Sequence, residues 1–158
     1  IASTNEAALE HLAKMGFDAV IANPFMGAGT LASLAEKAHE KGAGVIALVY
    51  MSHEDAREGY GLTTEVGKIY MQFLDRAARA GADGIVVGAT QAEVLREVAD
   101  EVRRRGIMMP IYSPGIGAQG GDIATASKNG SDYFIVGRSI VEAADPAKAA
   151  YELKLRSS

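Results

Sequence analysis

The 158 residues predict an α/β fold of parallel strands, a (β/α)8 TIM barrel present as a partial barrel of about five of the eight βα units. Three observations carry that expectation. First, a basic residue, a glycine and a short apolar run recur along the chain. The copies are Lys14-Met-Gly16 before residues 19–22, Lys41-Gly42 before 45–49, Arg79-Ala-Gly81 before 85–87, Arg105-Gly106 before 108–112, and Lys128-Asn-Gly130 before 133–136. Second, the stretches between them place apolar residues at helical spacing, as in Leu31-Leu34-Ala35-Ala38 and Val94-Leu95-Val98-Val102. Third, the segments that follow the apolar runs carry the chemically loaded residues, while those that precede them are terse, the asymmetry of a barrel whose sites lie at the carboxyl ends of its strands.

Each element follows from local chemistry. A cation in the last helical turn meets the negative end of the helix dipole, and the glycine supplies a left-handed cap. The apolar runs are short, mostly unalternating and rich in Val and Ile, as in strands covered on both faces. Strands are therefore predicted at 19–22, 44–49, 84–87, 108–112 and 133–136, alternating with helices. At the front, Ser3-Thr-Asn-Glu6 has the spacing of a capping box, with Ser3 at the cap. The capping glycines are spaced 26, 39, 25 and 24 residues apart, so the second unit carries about a dozen extra residues. They fall at 51–64, a polar, glycine-containing run expected to form a mobile lid. A doubly wound sheet shares part of this pattern, and the repeat alone does not separate the two. A complete barrel takes about 250 residues. The chain therefore reads as one domain over residues 1–158, the C-terminal part of a barrel whose first three strands are absent.

Composition narrows the function. A net charge of −4 without blocks of like charge gives no expectation of nucleic acid or of an acidic membrane surface. No apolar run reaches membrane-spanning length and no signal peptide is expected before the first helix, although the chain opens on Ile1. Zero cysteines exclude a disulfide scaffold and thiolate chemistry and accord with a cytoplasmic setting. No histidine pair has metal-ligand spacing, so no bound metal is expected. His11 and His39 lie inside helical patterns. For Ser52-His53 ordinary loop polarity is sufficient, since nothing indicates an acid to orient His53.

Two loops stand out. Ser113-Pro-Gly-Ile-Gly-Ala-Gln-Gly-Gly-Asp122 gathers glycines around one amide side chain, which lets the backbone turn and approach a ligand. Ile135-Val-Gly-Arg-Ser139 ends a strand in a glycine and a guanidinium where a helix can begin, a good anion site. The phosphate site of a barrel is frequently built from the loops after its last two strands, where these two fall. Together they point to a phosphate-bearing small molecule.

The runs S-P-G-I-G-A-Q-G-G-D, I-V-G-R-S-I and M-S-H, in this order and spacing, resemble the orotidine 5′-phosphate decarboxylase family in its shorter archaeal form, across essentially the whole chain. The opening I-A-S-T-N resembles the end of that family's catalytic segment, D-x-K-x-x-D-I-x-x-T-N. The resemblance implies a TIM-barrel homodimer that converts orotidine 5′-phosphate to uridine 5′-phosphate in pyrimidine biosynthesis, without metal or organic cofactor. It implies no catalytic residue on this chain, the Asp-Lys-Asp segment being expected upstream of Ile1. Ser52 would meet the pyrimidine edge, Gln119 would span from phosphate toward base, and Gly137 and Arg138 would bind the phosphate. Pro114, Gly115, Ile116, Gly117, Ala118, Gln119, Gly120 and Gly121 would form the loop over phosphate and base, with Ile116 on its apolar side. Ile1 and Thr4 would reach the partner subunit's site, and Ile21 and Val49 would line the apolar pocket near the departing carboxylate. Asn23 stands where some relatives have histidine, and its role is open. Two alternatives stand beside this one. One is a sister phosphosugar barrel such as 3-hexulose-6-phosphate synthase, which uses Mg²⁺; the other is a non-catalytic phosphate-binding module. Met51-Ser-His53 and Gln119 weigh toward the pyrimidine.

Overall fold

A computed structural model describes residues 2–157, so the expectation for Ile1 lies outside the described residues. The elements run α1 (Ala2–Lys14), β1 (Ala19–Ala22), α2 (Ala28–Glu40), β2 (Gly44–Tyr50), β3 (Thr63–Thr64), β4 (Gly67–Lys68), α3 (Ile69–Ala80) and β5 (Gly84–Val87). They continue with α4 (Ala92–Arg104), β6 (Ile111–Pro114), α5 (Ile123–Lys128), β7 (Tyr133–Ile135), α6 (Arg138–Val141) and α7 (Pro146–Arg156). All five repeat glycines have positive φ, from +62° at Gly106 to +100° at Gly130, as left-handed caps require.

Five strands form one parallel sheet in the order β1-β2-β5-β6-β7. Each new strand is laid beside the last with no reversal. Right-handed crossovers running in a single direction keep every helix on one face, whereas a doubly wound sheet must reverse its order. The helices accordingly pack side by side, α1 on α2 and α2 on α3. This is an arc of a barrel wall, as the repeat predicts. Val45, Ala47, Val49, Ile85, Val87 and Ile111 are buried with Leu31, Leu34, Leu74 and Leu95. Each such leucine or isoleucine contributes about 1.5–3 kcal/mol by leaving water. The opposite face is open at its flanks: Ile21 on β1 is 56% exposed and Tyr133 on β7 is 54% exposed, stacked on Tyr112 at 4.9 Å between ring centroids.

The strand starts are tied together by side chains. Asp83, one residue ahead of β5, donates its backbone N–H to the Val45 carbonyl at 2.8 Å and accepts the Val45 N–H on its carboxylate at 2.7 Å. Asp132, one residue ahead of β7, repeats the exchange with Ile111 at 2.9 and 2.7 Å. His39 adds a contact to the Asp83 carboxylate at 2.9 Å.

Five expectations are corrected. Helix α1 already includes Ser3, so Ser3 is not its cap, and Glu6 instead pairs with Lys37 of α2 at 2.5 Å. The fourth sheet strand begins at Ile111 rather than 108, because Pro110 offers only its carbonyl, taken by Ile85 N–H at 3.0 Å. That strand runs on through Pro114, which belongs to β6 and not to the loop. Residues 51–64 are not a loose lid. They contain a short 3-10 helix (Glu54–Glu58) and the first strand of the β3–β4 hairpin, and they are anchored by Ala56 and Tyr60, 2% and 6% exposed. Finally, Val49 sits at a register shift between Leu48 and Tyr50 and is fully buried among the helices, so it does not line the open face.

The caps give a direct test. A Cβ at Gly130 would run into Ala99 of α4, while one at Gly16 meets open space. Gly16→Ala should therefore cost only the left-handed backbone penalty, about 1–2 kcal/mol. Gly130→Ala should cost about 2–4 kcal/mol, because overpacking adds to that penalty. Urea unfolding of the two variants checks the ranking; equal losses would remove the packing contribution.

Candidate functional site

The loops that follow β2, β5, β6 and β7 meet along one edge of the sheet. Ser52, half-buried, comes directly after β2, and Thr90 of the next loop donates its hydroxyl proton to the Ser52 carbonyl at 2.6 Å. The loop after β6 then closes against them. Gly115 has φ +95°, and a Cβ built on it would stand 2.8 Å from Ser52 Cβ, 3.3 Å from Thr90 Cγ2 and 3.5 Å from Gln119 Oε1. Only glycine fits there, and the side chains of Ser52, Thr90 and Gln119 all come close to its bare Cα. Ala89 N–H donates to the Pro114 carbonyl at 2.8 Å and holds the loop at that height.

The loop itself is a small closed cage. Gly117 N–H donates to the Gly121 carbonyl at 2.9 Å, Gly120 N–H to Gly117 at 2.7 Å, and Gly121 N–H to Gly115 at 3.0 Å. Ile116 is 5% exposed and anchors the cage in the core, as its expected apolar side requires, while Gly117, Ala118, Gln119 and Gly120 are exposed. Asp122 ends the loop by capping α5, accepting from Thr125 N–H at 2.9 Å and Thr125 Oγ1 at 3.0 Å, and Arg156 of α7 reaches it at 3.0 Å. The Thr125 backbone and hydroxyl donors, with Arg156 beyond them, hold the Asp122 carboxyl below its ordinary range.

The next unit supplies Gly137 and Arg138. Gly137 is the cap residue of α6 and Arg138 its exposed first residue. Among the described residues no carboxylate lies within ion-pair distance of Arg138, so the bland assignment to a helix carboxylate fails. The two loops are joined by one bond, from Ala118 N–H to the Ser139 hydroxyl oxygen at 3.2 Å.

Of the expected site residues, the structure therefore gathers Ser52 and residues 115–121 into one cluster and places Gly137 and Arg138 beside it. Thr4 is exposed in the first turn of α1, at the β1 flank of the arc and away from the β7 flank that carries Arg138. Ile21 does face the open side. Asn23 has a structural role: it caps the 3-10 turn of Pro24–Met26 by accepting from Phe25 N–H at 3.1 Å and donates to the Tyr60 hydroxyl at 2.9 Å. Tyr60 is thereby held among Phe25, Tyr50 and Phe73, and burial raises its phenol pKa. His53 is exposed and His39 serves Asp83 at the opposite end of the strands. Thr90 and Ser139 have positions that sequence reasoning left without a role, although Ser139 lies inside a loop it singled out.

Comparison with known proteins supports the fold. The sequence profile of the Orotidine 5′-phosphate decarboxylase / HUMPS family matches residues 1–153. The orotidine 5′-phosphate decarboxylase of Methanosarcina mazei is 36% identical over 153 residues, covering 97% of this chain and 66% of the relative. That of Methanococcoides burtonii is 33% identical, covering 97% and 67%. The chain thus spans about two thirds of the length of these relatives. Among solved structures, orotidine 5′-monophosphate decarboxylase from Methanocaldococcus jannaschii, complexed with inhibitor BMP, superposes with a TM-score of 0.87 at 27% identity, covering all of this chain and 69% of that one. The Pyrococcus horikoshii enzyme gives 0.81 at 29% identity, covering 99% and 69%.

The Asp122 cap makes a prediction about pH. Because its folded-state pKa is depressed, its contribution is complete above the unfolded carboxylate value and is lost as pH falls through the folded value. Carboxyl NMR should find Asp122 titrating below the ordinary aspartate range. Thr125→Val should raise that midpoint more than Arg156→Leu does. An unshifted wild-type midpoint would remove the cap from this account.

Proposed function

The chain belongs to the orotidine 5′-phosphate decarboxylase / HUMPS family, and from that premise we propose that it is the phosphate- and pyrimidine-holding part of an enzyme that decarboxylates orotidine 5′-phosphate to uridine 5′-phosphate. The observation that carries the proposal is the close approach at Gly115, where Ser52 and Gln119 both border a bare backbone. A hydroxyl and an amide side by side supply donors and acceptors for a pyrimidine edge. Arg138, without a carboxylate partner among the described residues, and the backbone of Gly137 take the 5′-phosphate. A sugar phosphate without a base would leave the Ser52–Gln119 pair without a partner, which supports the nucleotide over the phosphosugar alternative.

In this reading the residues present bind and orient, and the reacting Asp and Lys side chains lie upstream of Ile1. Loss of CO₂ leaves a carbanion at C6 of the base, which a lysine ammonium stabilises and then protonates. The phosphate grip lies far from C6, and its binding energy serves to assemble the site. In this reading Thr4 reaches the site of a second copy in a homodimer. The setting is cytoplasmic, an assignment supported by the lack of cysteine; no helix among the described residues is long and apolar enough to cross a membrane.

Two measurements test this. Calorimetry on the 158-residue chain should find that it binds uridine 5′-phosphate, and addition of orotidine 5′-phosphate should give no turnover. No binding at all would overturn the proposal. Arg138→Ala should weaken uridine 5′-phosphate binding about ten- to a hundredfold, the value of a charge-assisted hydrogen bond. Affinity for the bare nucleoside should be unchanged by it. Equal losses for nucleotide and nucleoside would make Arg138 a structural residue and end the anion-site assignment.

A further inference from the structure

We propose that Ser139 is a positioning residue, a latch whose hydroxyl fixes the glycine loop after β6 to the turn that carries Arg138. The inference rests on the phosphate-holding role proposed above and names the residue that makes the two halves of that grip act as one.

The geometry is specific. The loop's other backbone bonds among residues 115–121 are internal, Gly117 to Gly121, Gly120 to Gly117 and Gly121 to Gly115, and its link to Ala89 faces the β5 side. Among the described residues, the bond from Ala118 N–H to Ser139 Oγ is the one hydrogen bond from this loop to the β7–α6 unit. Gly117 completes the fit. Its φ is +73°, and a Cβ there would collide with the Ser139 hydroxyl, so the space a side chain would fill is occupied by the latch itself. Ser139 is half-buried beneath the loop, at the wall of a cavity of about 340 Å³ that also meets Ile116, Leu153 and Arg156.

The consequence concerns coupling more than stability. Ala118 is exposed, so water can satisfy its N–H if the hydroxyl is removed, and folding loses little. What is lost is the fixed distance between the Gln119 loop and Arg138. A ligand that needs both must then hold them together at the expense of its own binding energy. A ligand that touches only the Ser52–Gln119 side does not.

The test uses Ser139→Ala and Ser139→Thr in the 158-residue chain. In Ser139→Ala the Ala118 amide should exchange with solvent about tenfold faster, the loss of one ordinary hydrogen bond. The Kd for uridine 5′-phosphate should rise by about the same factor, with uridine affinity and Tm nearly unchanged. Ser139→Thr, which keeps the hydroxyl, should restore both exchange and nucleotide affinity. Gly117→Ala should be less damaging in the Ser139→Ala background than in the wild type, because the clash is gone. Unchanged exchange at Ala118, additive losses in that cycle, or equal nucleotide affinity in Ser139→Ala each overturns the latch. If the wild-type chain binds no uridine 5′-phosphate, the phosphate reading falls and the gripping role with it. Exchange and the mutant cycle still decide separately whether the latch exists.

Discussion

Neighbouring strands of a parallel sheet are joined by long crossovers, so no tight turn dictates their register, and a slip of one residue would turn every side chain to the opposite face. In this chain two aspartates resist that slip. Asp83 and Asp132 each exchange two hydrogen bonds with the first residues of the preceding strand, Val45 and Ile111. Val45 is fully buried and Ile111 nearly so, and without the carboxylates their N–H groups would lack these partners. A hydrogen bond to a charged acceptor contributes about 1.5–3 kcal/mol, and its loss at a buried donor is felt in full. The two aspartates align β2 with β5 and β6 with β7, and the bond from Ile85 N–H to the Pro110 carbonyl aligns β5 with β6, so the carboxyl ends are aligned too. The cluster of Ser52, Thr90, Gly115 and Gln119 depends on that alignment: it is built from three successive loops, and a shift in any one strand would separate them.

The two faces of the sheet report different things. The helix face is close-packed, and the long second connection has been drawn into it. Tyr60 enters an aromatic cluster with Tyr50, Phe25 and Phe73 and is fixed by the Asn23 amide. Lys68, at the end of the β3–β4 hairpin, pairs with Glu97 of α4 at 2.7 Å, and Tyr70 donates to the same carboxylate at 2.7 Å. These ties make the insertion part of the wall. The other face ends in exposed Ile21 and Tyr133. A surface of this kind suits binding along a rim; enclosure of a reacting carbon needs further walls.

The fold was legible because its signal was repeated. Five glycines at helix ends, each preceded by a cation and followed by a short apolar run, leave little freedom in the order of elements, and all five have the required positive φ. The same repetition held a signal that went unread: the aspartate two residues after the glycine in Gly81-Ala-Asp83 and Gly130-Ser-Asp132, where a polar residue at a strand start passes for a loop. Local composition misled at 51–64, because ten polar or glycine residues outweigh one tyrosine in any window, yet Tyr60, with Ala56, is buried and anchors the segment. The Ser3–Glu6 spacing also misled, since a capping box is defined by where the helix begins and Lys37, remote in sequence, claims Glu6. Within the site, Gln119 and Arg138 were legible from loop chemistry. Thr90 and Ser139 were not, because each acts on the backbone of a different unit, and no spacing along the chain reveals which loops meet.

The glycine loop poses a problem of entropy that its hydrogen bonds answer. Ordering a residue's backbone costs about 1–2 kcal/mol and glycine loses the most, so a run of this composition would stay open without support. A ligand arriving at such a run would have to order it, and affinity would fall by the corresponding amount. Here the internal bonds of residues 115–121, the buried side chain of Ile116, and the Asp122 cap at the loop's exit do that ordering in the absence of ligand. The glycines then serve close approach, at Gly115 toward Ser52 and at Gly117 toward Ser139, with their flexibility already removed. A loop held in this state keeps its amide tip in place before anything binds. Binding energy from a ligand is then available for assembling the rest of a site instead of for folding the loop itself.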